Sequence, residues 1–172
     1  MNIIFLDIDG VLNNKDTFIV QEEHFLKTGE SLVEIEPIMI SRLAKIVKET
    51  DSQIVLSSSW RYGWDPEYEK CSSHCKKLIN SLDEYGLRIF DKTPVIKNGL
   101  RQDEIRCWLA RHADVDNFVI LDDETSFLMD FVGTRLVKTN CIPDGVILQD
   151  IADATGLMDE HVKRAIEILL NV

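Results

Sequence analysis

Three short apolar runs, Ile3 to Leu6, Ile54 to Leu56 and Phe118 to Leu121, each stop at a polar cluster, and no other feature constrains the fold as much. A strand buried on both faces reads as an unbroken apolar run, so these three belong in the middle of a parallel sheet. Arg88 to Phe90 and Arg135 to Val137 are weaker strand candidates. Between them, Met39, Leu43, Ile46 and Val47 fall on one helical face, as do Ile105, Trp108 and Leu109, and Met158, Val162, Ala165, Ile166 and Leu169. Strand and helix alternate along the chain, which predicts a layered α/β fold.

At 172 residues, with neither repeat nor Pro/Gly-rich linker, the chain reads as one domain over 1–172. Residues 13 to 35 are the stretch that the alternation leaves over. Its apolar patches, Phe18 to Val20 and Leu32 to Ile35, flank Thr28-Gly29 and suggest a hairpin flap, too short to be a cap domain. Apolar residues at 45% and charged residues at 28% suit a folded globular chain. Thirty acidic against 19 basic side chains leave a net charge of −11, which argues against an extended nucleic-acid surface and against anionic lipid as partner. No basic, apolar leader opens the sequence and no run nears the length of a membrane span, so the expected location is the cytoplasm.

The four cysteines, Cys71, Cys75, Cys107 and Cys141, are too sparse for a disulfide scaffold and fit a reducing compartment. Cys71, His74 and Cys75 invite a zinc reading, but a fourth ligand is lacking nearby. The two cysteines share a helical spacing with Leu78, Ile79 and Leu82 and read better as small core residues.

In open α/β sheets, ligands bind outside the carboxyl ends of the strands, so the residues ending each run carry the chemistry. The first run ends in Asp7-Ile8-Asp9-Gly10-Val11-Leu12-Asn13. Acids two apart at a strand end point the same way, and Gly10 permits a sharp exit. Two converging carboxylates repel unless a cation or shared proton compensates, and Mg²⁺ is the simplest compensation. The bland alternative is an acidic pair facing solvent. The second run ends in Ser57-Ser58-Ser59-Trp60-Arg61, where a hydroxyl and the following backbone N–H groups suit a phosphate, unless the serines merely form a turn. The third ends in Asp122-Asp123-Glu124; one acid of the adjacent pair can reach a metal while the other orients it, or both simply decorate a helix start.

Taken together, D-x-D-G-V-L-N after a hydrophobic strand resembles motif I of the haloacid dehalogenase (HAD) superfamily. The resemblance implies that Asp7 is the nucleophile that takes up a phosphoryl group and that Asp9 is the general acid/base. Because the dehalogenases lack the second Asp, Asp9 points to phosphate chemistry. In the same register the serine run resembles motif II, with Ser58 the phosphate-binding hydroxyl and Ser57 its competitor. Asp122-Asp123 resembles motif IV, which implies a metal held by Asp7, the Asp9 backbone carbonyl and Asp122, with Asp123 as secondary candidate. Motif III needs a cation near the start of the preceding helix, and Lys97 and Arg101 both qualify. Arg101 is favoured, since Arg101-Gln102-Asp103-Glu104-Ile105-Arg106-Cys107-Trp108-Leu109 resembles the R-x-x-E-I-x-x-W-L segment of a capless HAD subgroup that includes the domain named for RNA-repair proteins. L-S-S-S-W-R and the closing Thr139-Asn140 and Gly156-Leu157 resemble the same subgroup.

This resemblance implies a three-layer, Rossmann-like sandwich with a mostly parallel central sheet, no large cap domain, and Mg²⁺-dependent hydrolysis of a phosphomonoester through an aspartyl-phosphate. With no cap, the substrate is read by overhanging loops, and Trp60, Arg61 and Trp64 are the candidate recognition residues. A small molecule, a nucleic-acid end or a phosphoprotein would each fit. Two other readings stand beside it. A receiver-type signalling module uses similar residues, but its adjacent acids come first and its phospho-acceptor later, the reverse of this order. A HAD-like fold kept only for binding would be expected to have lost Asp7, Asp9 or Asp122.

Overall fold

The computed structural model describes residues 1–32, 34–140 and 155–172. Five strands, β1 (Asn2–Leu6), β2 (Ser52–Leu56), β3 (Ile89–Lys92), β4 (Asn117–Asp122) and β5 (Leu136–Lys138), form one sheet in the order β3-β2-β1-β4-β5. Every neighbouring pair is parallel. Five helices, α1 (Lys15–Thr28), α2 (Pro37–Thr50), α3 (Ser73–Asp83), α4 (Arg101–Leu109) and α5 (Asp159–Leu170), complete a three-layer, Rossmann-like α/β fold. The three apolar runs are the three central strands, and the two weaker candidates are the edges.

Burial on both faces explains why the central strands are apolar throughout. Ile3 and Phe5 of β1 point to one side, where they meet Ile105 and Trp108 of α4 and Phe131. Ile4 and Leu6 point to the other, packing with Leu43 of α2, Leu78 of α3 and Leu169 of α5. One alternating strand thus feeds two cores. Each predicted helical face is the buried one, from Met39, Leu43 and Ile46 to Val162, Ala165 and Leu169. Cys71 and Cys75 are buried as core residues, their thiols 3.1 Å from the carbonyls of Asp65 and Trp60 respectively. Cys141 lies outside the described residues.

The hairpin flap expected over 13–35 is a helix instead. Asn14 starts α1 with a reciprocal cap: its side chain accepts from the Thr17 N–H at 3.1 Å, and the Thr17 hydroxyl accepts from the Asn14 N–H at 2.9 Å. Gly29, at φ +73°, takes the left-handed position that ends the helix, so Thr28-Gly29 is a helix terminus and not a hairpin turn. Phe18 to Val20 lie within the helix. Between β3 and α4 the connection is residues 93–100, so among the described residues no large cap overhangs the sheet. No described helix is long and apolar enough to cross a membrane.

Candidate active site

The site forms where the three central strands end together. Asp7, the first residue past β1, donates its N–H to Leu121 O at 2.9 Å, while Ser57 donates to Leu6 O at 2.8 Å, so all three strand ends are clamped in register. The chain then turns at Gly10, with φ +75°. A Cβ there would sit 2.7 Å from Cγ of Asp123, so only glycine lets this backbone pass so close to the β4 acids. The turn is held from outside: Thr139 donates its hydroxyl to Gly10 O at 2.7 Å, and the Leu157 N–H donates to Val11 O at 3.0 Å.

Asp7, Asp122 and Asp123 each present a carboxylate oxygen within 4.8 Å of the others. Asp7 is 6% exposed and Asp122 is fully buried. Burial, reinforced by the negative charge of Asp122, pushes the Asp7 carboxyl up to about 7, although Arg101 and a hydrogen bond with Ser58 work against the rise. Burial likewise raises Asp122, against the pull of Arg101 and of the Glu124 N–H. Arg101, the first residue of α4, lies with Nη1 3.4 Å from Asp7 Oδ1 and hydrogen-bonds Asp122 Oδ2. Burial disfavours its charge, but the two acids more than compensate and raise its pKa. Two buried carboxylates and a third, half-buried one crowded against one guanidinium form a donor set that fits a hard divalent cation such as Mg²⁺.

The competing residues separate in space. Ser58 is buried with its hydroxyl on the Asp7 side, whereas Ser57 Oγ is buried with no hydrogen-bond partner among the described residues. Arg101 reaches the acids, whereas Lys97 is exposed on the turn before α4, beside Asn98 at φ +60°, and forms no ion pair among the described residues. The Asp9 side chain lies outside the three-acid cluster. Its Oδ1 accepts from Asn13 Nδ2 at 2.9 Å and its Oδ2 from the Trp60 indole N–H at 3.0 Å.

Of the expected recognition residues, two are turned inward. Arg61 is buried: it pairs with Glu104 at 2.7 Å and donates to Ser58 O at 3.0 Å. Trp64 belongs to the core, with Lys92 Nζ 5.6 Å from its ring centroid. The aromatic side chain of that loop that faces outward is Tyr62, 68% exposed. Together with Ser59, Val95, Leu100, Arg101 and Phe127 it lines a cavity of about 250 Å³ that opens beside the Arg101 guanidinium. Three contributors escaped the sequence reading. Asn13 and Thr139 were visible only as parts of longer patterns, and Glu104 only as the acid three residues after Arg101.

The sequence model of a family described as the HAD domain in Swiss Army Knife RNA repair proteins matches residues 3–143. No curated protein and no solved structure matches the chain.

Proposed function

Because the chain belongs to the HAD domains of Swiss Army Knife RNA repair proteins, a phosphatase-type hydrolase family, we propose that it is a Mg²⁺-dependent phosphomonoester hydrolase that works through an aspartyl-phosphate. The observation that carries the reading is the cluster of buried Asp7 and Asp122 with half-buried Asp123, and Arg101 paired with the two buried acids. Asp7 attacks phosphorus with one carboxylate oxygen, and the P–O bond to the leaving group breaks as Asp9 gives that oxygen its proton. Water then attacks the phosphorus, giving its proton to Asp9, and the Asp7 carboxylate departs. The Ser58 hydroxyl and Arg101 guanidinium hold the phosphoryl oxygens throughout, so catalysis is mainly positioning and charge neutralisation. Asp7 and Asp122, with the Asp9 carbonyl and Asp123 in support, would hold the Mg²⁺, which when bound supplies positive charge to the phosphoryl oxygens.

The substrate we favour is a phosphate at a nucleic-acid end. The family description points there, and the exposed rings of Tyr62 and Phe127 beside the clamp offer faces for a terminal base. The net charge of −11 restricts contact to the end and disfavours a long duplex. The free thiols of Cys71, Cys75 and Cys107 suit a cytoplasmic location. A rapid acid quench during turnover of a phosphorylated oligonucleotide tests the mechanism. A hydroxylamine-labile phosphoenzyme that disappears in Asp7→Asn is the expected result; turnover that survives in Asp7→Asn sinks it.

A further inference from the structure

We infer that Trp60 is a positioning residue for Asp9, aiming its carboxyl at the leaving-group oxygen, and that its contact with the substrate is incidental; the inference rests on the phosphatase reading above. An indole nitrogen can only donate, and here it donates to Asp9 Oδ2 at 3.0 Å. Asn13 Nδ2 holds the other oxygen at 2.9 Å. Gripped through both oxygens by donors from different loops, the carboxyl cannot turn about its own axis without breaking a bond. Each oxygen keeps a second lone pair, so the grip leaves room for the proton that Asp9 passes to the leaving oxygen and later takes from water.

The donor is itself held in place. Trp60 sits in a 3-10 turn, Ser59–Gly63, directly after the phosphate-holding Ser58. Its carbonyl accepts from the Cys75 thiol at 3.1 Å, and its ring stands edge-on to that of His74, with centroids 5.2 Å apart. His74 is in turn hydrogen-bonded to the Ser72 hydroxyl, 3.2 Å from Nδ1. A line of contacts therefore runs from the start of α3, through Trp60, to the proton-transferring acid. The Cys71-Ser72-Ser73-His74-Cys75 segment, whose spacing invites a zinc reading, serves here to brace a tryptophan.

In the first step, formation of the phosphoenzyme, proton transfer matters only when the leaving oxygen is too basic to depart alone, and that gives the test. Trp60→Phe keeps an aromatic ring and removes the N–H. With Mg²⁺ present, its kcat on an alkyl phosphate is expected to fall about 10²-fold, the scale of a misplaced catalytic group, with KM nearly unchanged. The first-turnover release of 4-nitrophenol from 4-nitrophenyl phosphate, whose leaving group needs no proton, is expected to slow far less than first-turnover release of the alkyl alcohol. Equal first-turnover losses on both esters overturn the inference, as does a rise in KM with kcat intact, which would make Trp60 a substrate contact. Wild-type protein inactive on every ester overturns the phosphatase reading and the inference with it. Should Trp60→Phe melt far below wild type, benzothienylalanine at position 60, which replaces only the N–H with sulfur, carries the same comparison.

Discussion

Arg61 Nη2 lies 2.7 Å from Glu104 Oε2 with both side chains buried, so one ion pair joins the loop after β2 to the first turn of α4. The other end of the same guanidinium takes Ser58 O, and the second Glu104 oxygen accepts from the Ile96 N–H at 3.2 Å. Ser58 and Arg101, which come from elements 43 residues apart, are therefore hung on a single buried bridge. Removing one partner of such a pair leaves a charge buried and uncompensated, at a cost of about 3–5 kcal/mol. Glu104→Ala should lower the melting temperature by roughly 2–4 °C for each of those kcal/mol. The double replacement Arg61→Met with Glu104→Leu should recover much of the loss. A single mutant that melts with the wild type would show that the bridge holds nothing.

Asp7→Asn should abolish turnover without loosening the fold. The amide keeps the shape of the side chain but has no nucleophilic oxyanion, and it relieves the repulsion that Asp7 shares with Asp122 in the metal-free protein. Thermal melts in chelator are expected to show the mutant at least as stable as the wild type. A clear drop in its melting temperature would give Asp7 a structural role that this account lacks.

The raised carboxyls predict how pH and metal interact. Asp7 and Asp122 bind protons more tightly in the folded chain than in the unfolded one. Between the ordinary carboxyl range and about pH 7 the folded state therefore holds more protons, and the contribution of these two acids to stability falls as pH rises through that window. Mg²⁺ competes with those protons and replaces the lost stabilisation, so the rise in melting temperature on adding Mg²⁺ should be small at pH 5.5 and grow toward pH 8. An increment independent of pH would mean that the metal binds elsewhere.

If Arg101 is the phosphate clamp, Arg101→Ala should lower kcat and raise KM together, since such a clamp acts in both ground and transition states; a loss of about 10²–10³ in kcat/KM is the scale expected for one preorganised donor. Arg101→Lys should recover it in part, since a point charge lacks the two-pronged geometry. Lys97→Ala should stay near wild type, as Lys97 is exposed and unpaired among the described residues. Kinetics on one aryl phosphate measure all three, and a large loss confined to Lys97→Ala would move the clamp to that residue.

The central strands were legible because burial on both faces writes itself as uninterrupted apolar runs, and the acids because they sit where those runs stop. α1 was misread although its signals were present: an Asn14/Thr17 capping pair and a Gly29 terminator bracket the helix, but the exposed Phe25 and Leu26 blur its apolar stripe, and Thr28-Gly29 resembles a turn. The directions of Trp60, Arg61 and Trp64 were not legible at all. They depend on how a five-residue 3-10 turn winds and ends, which sends Trp60 to an acid, Arg61 to a buried glutamate and Trp64, just past the turn, to the core. Composition identifies such a loop as interesting without saying which residue faces in.

The two hydrogen bonds onto the Gly10–Val11 turn tie the start of the fold to its far side. Asp7 and Asp9 stand at the end of β1, yet the turn that follows them is fastened by Thr139, 129 residues beyond Gly10, and by Leu157. A fragment cut after β5 keeps both aspartates and all five strands but lacks both fastenings. The sheet alone therefore sets where the acids sit, and the segments beyond it set how firmly their turn is held.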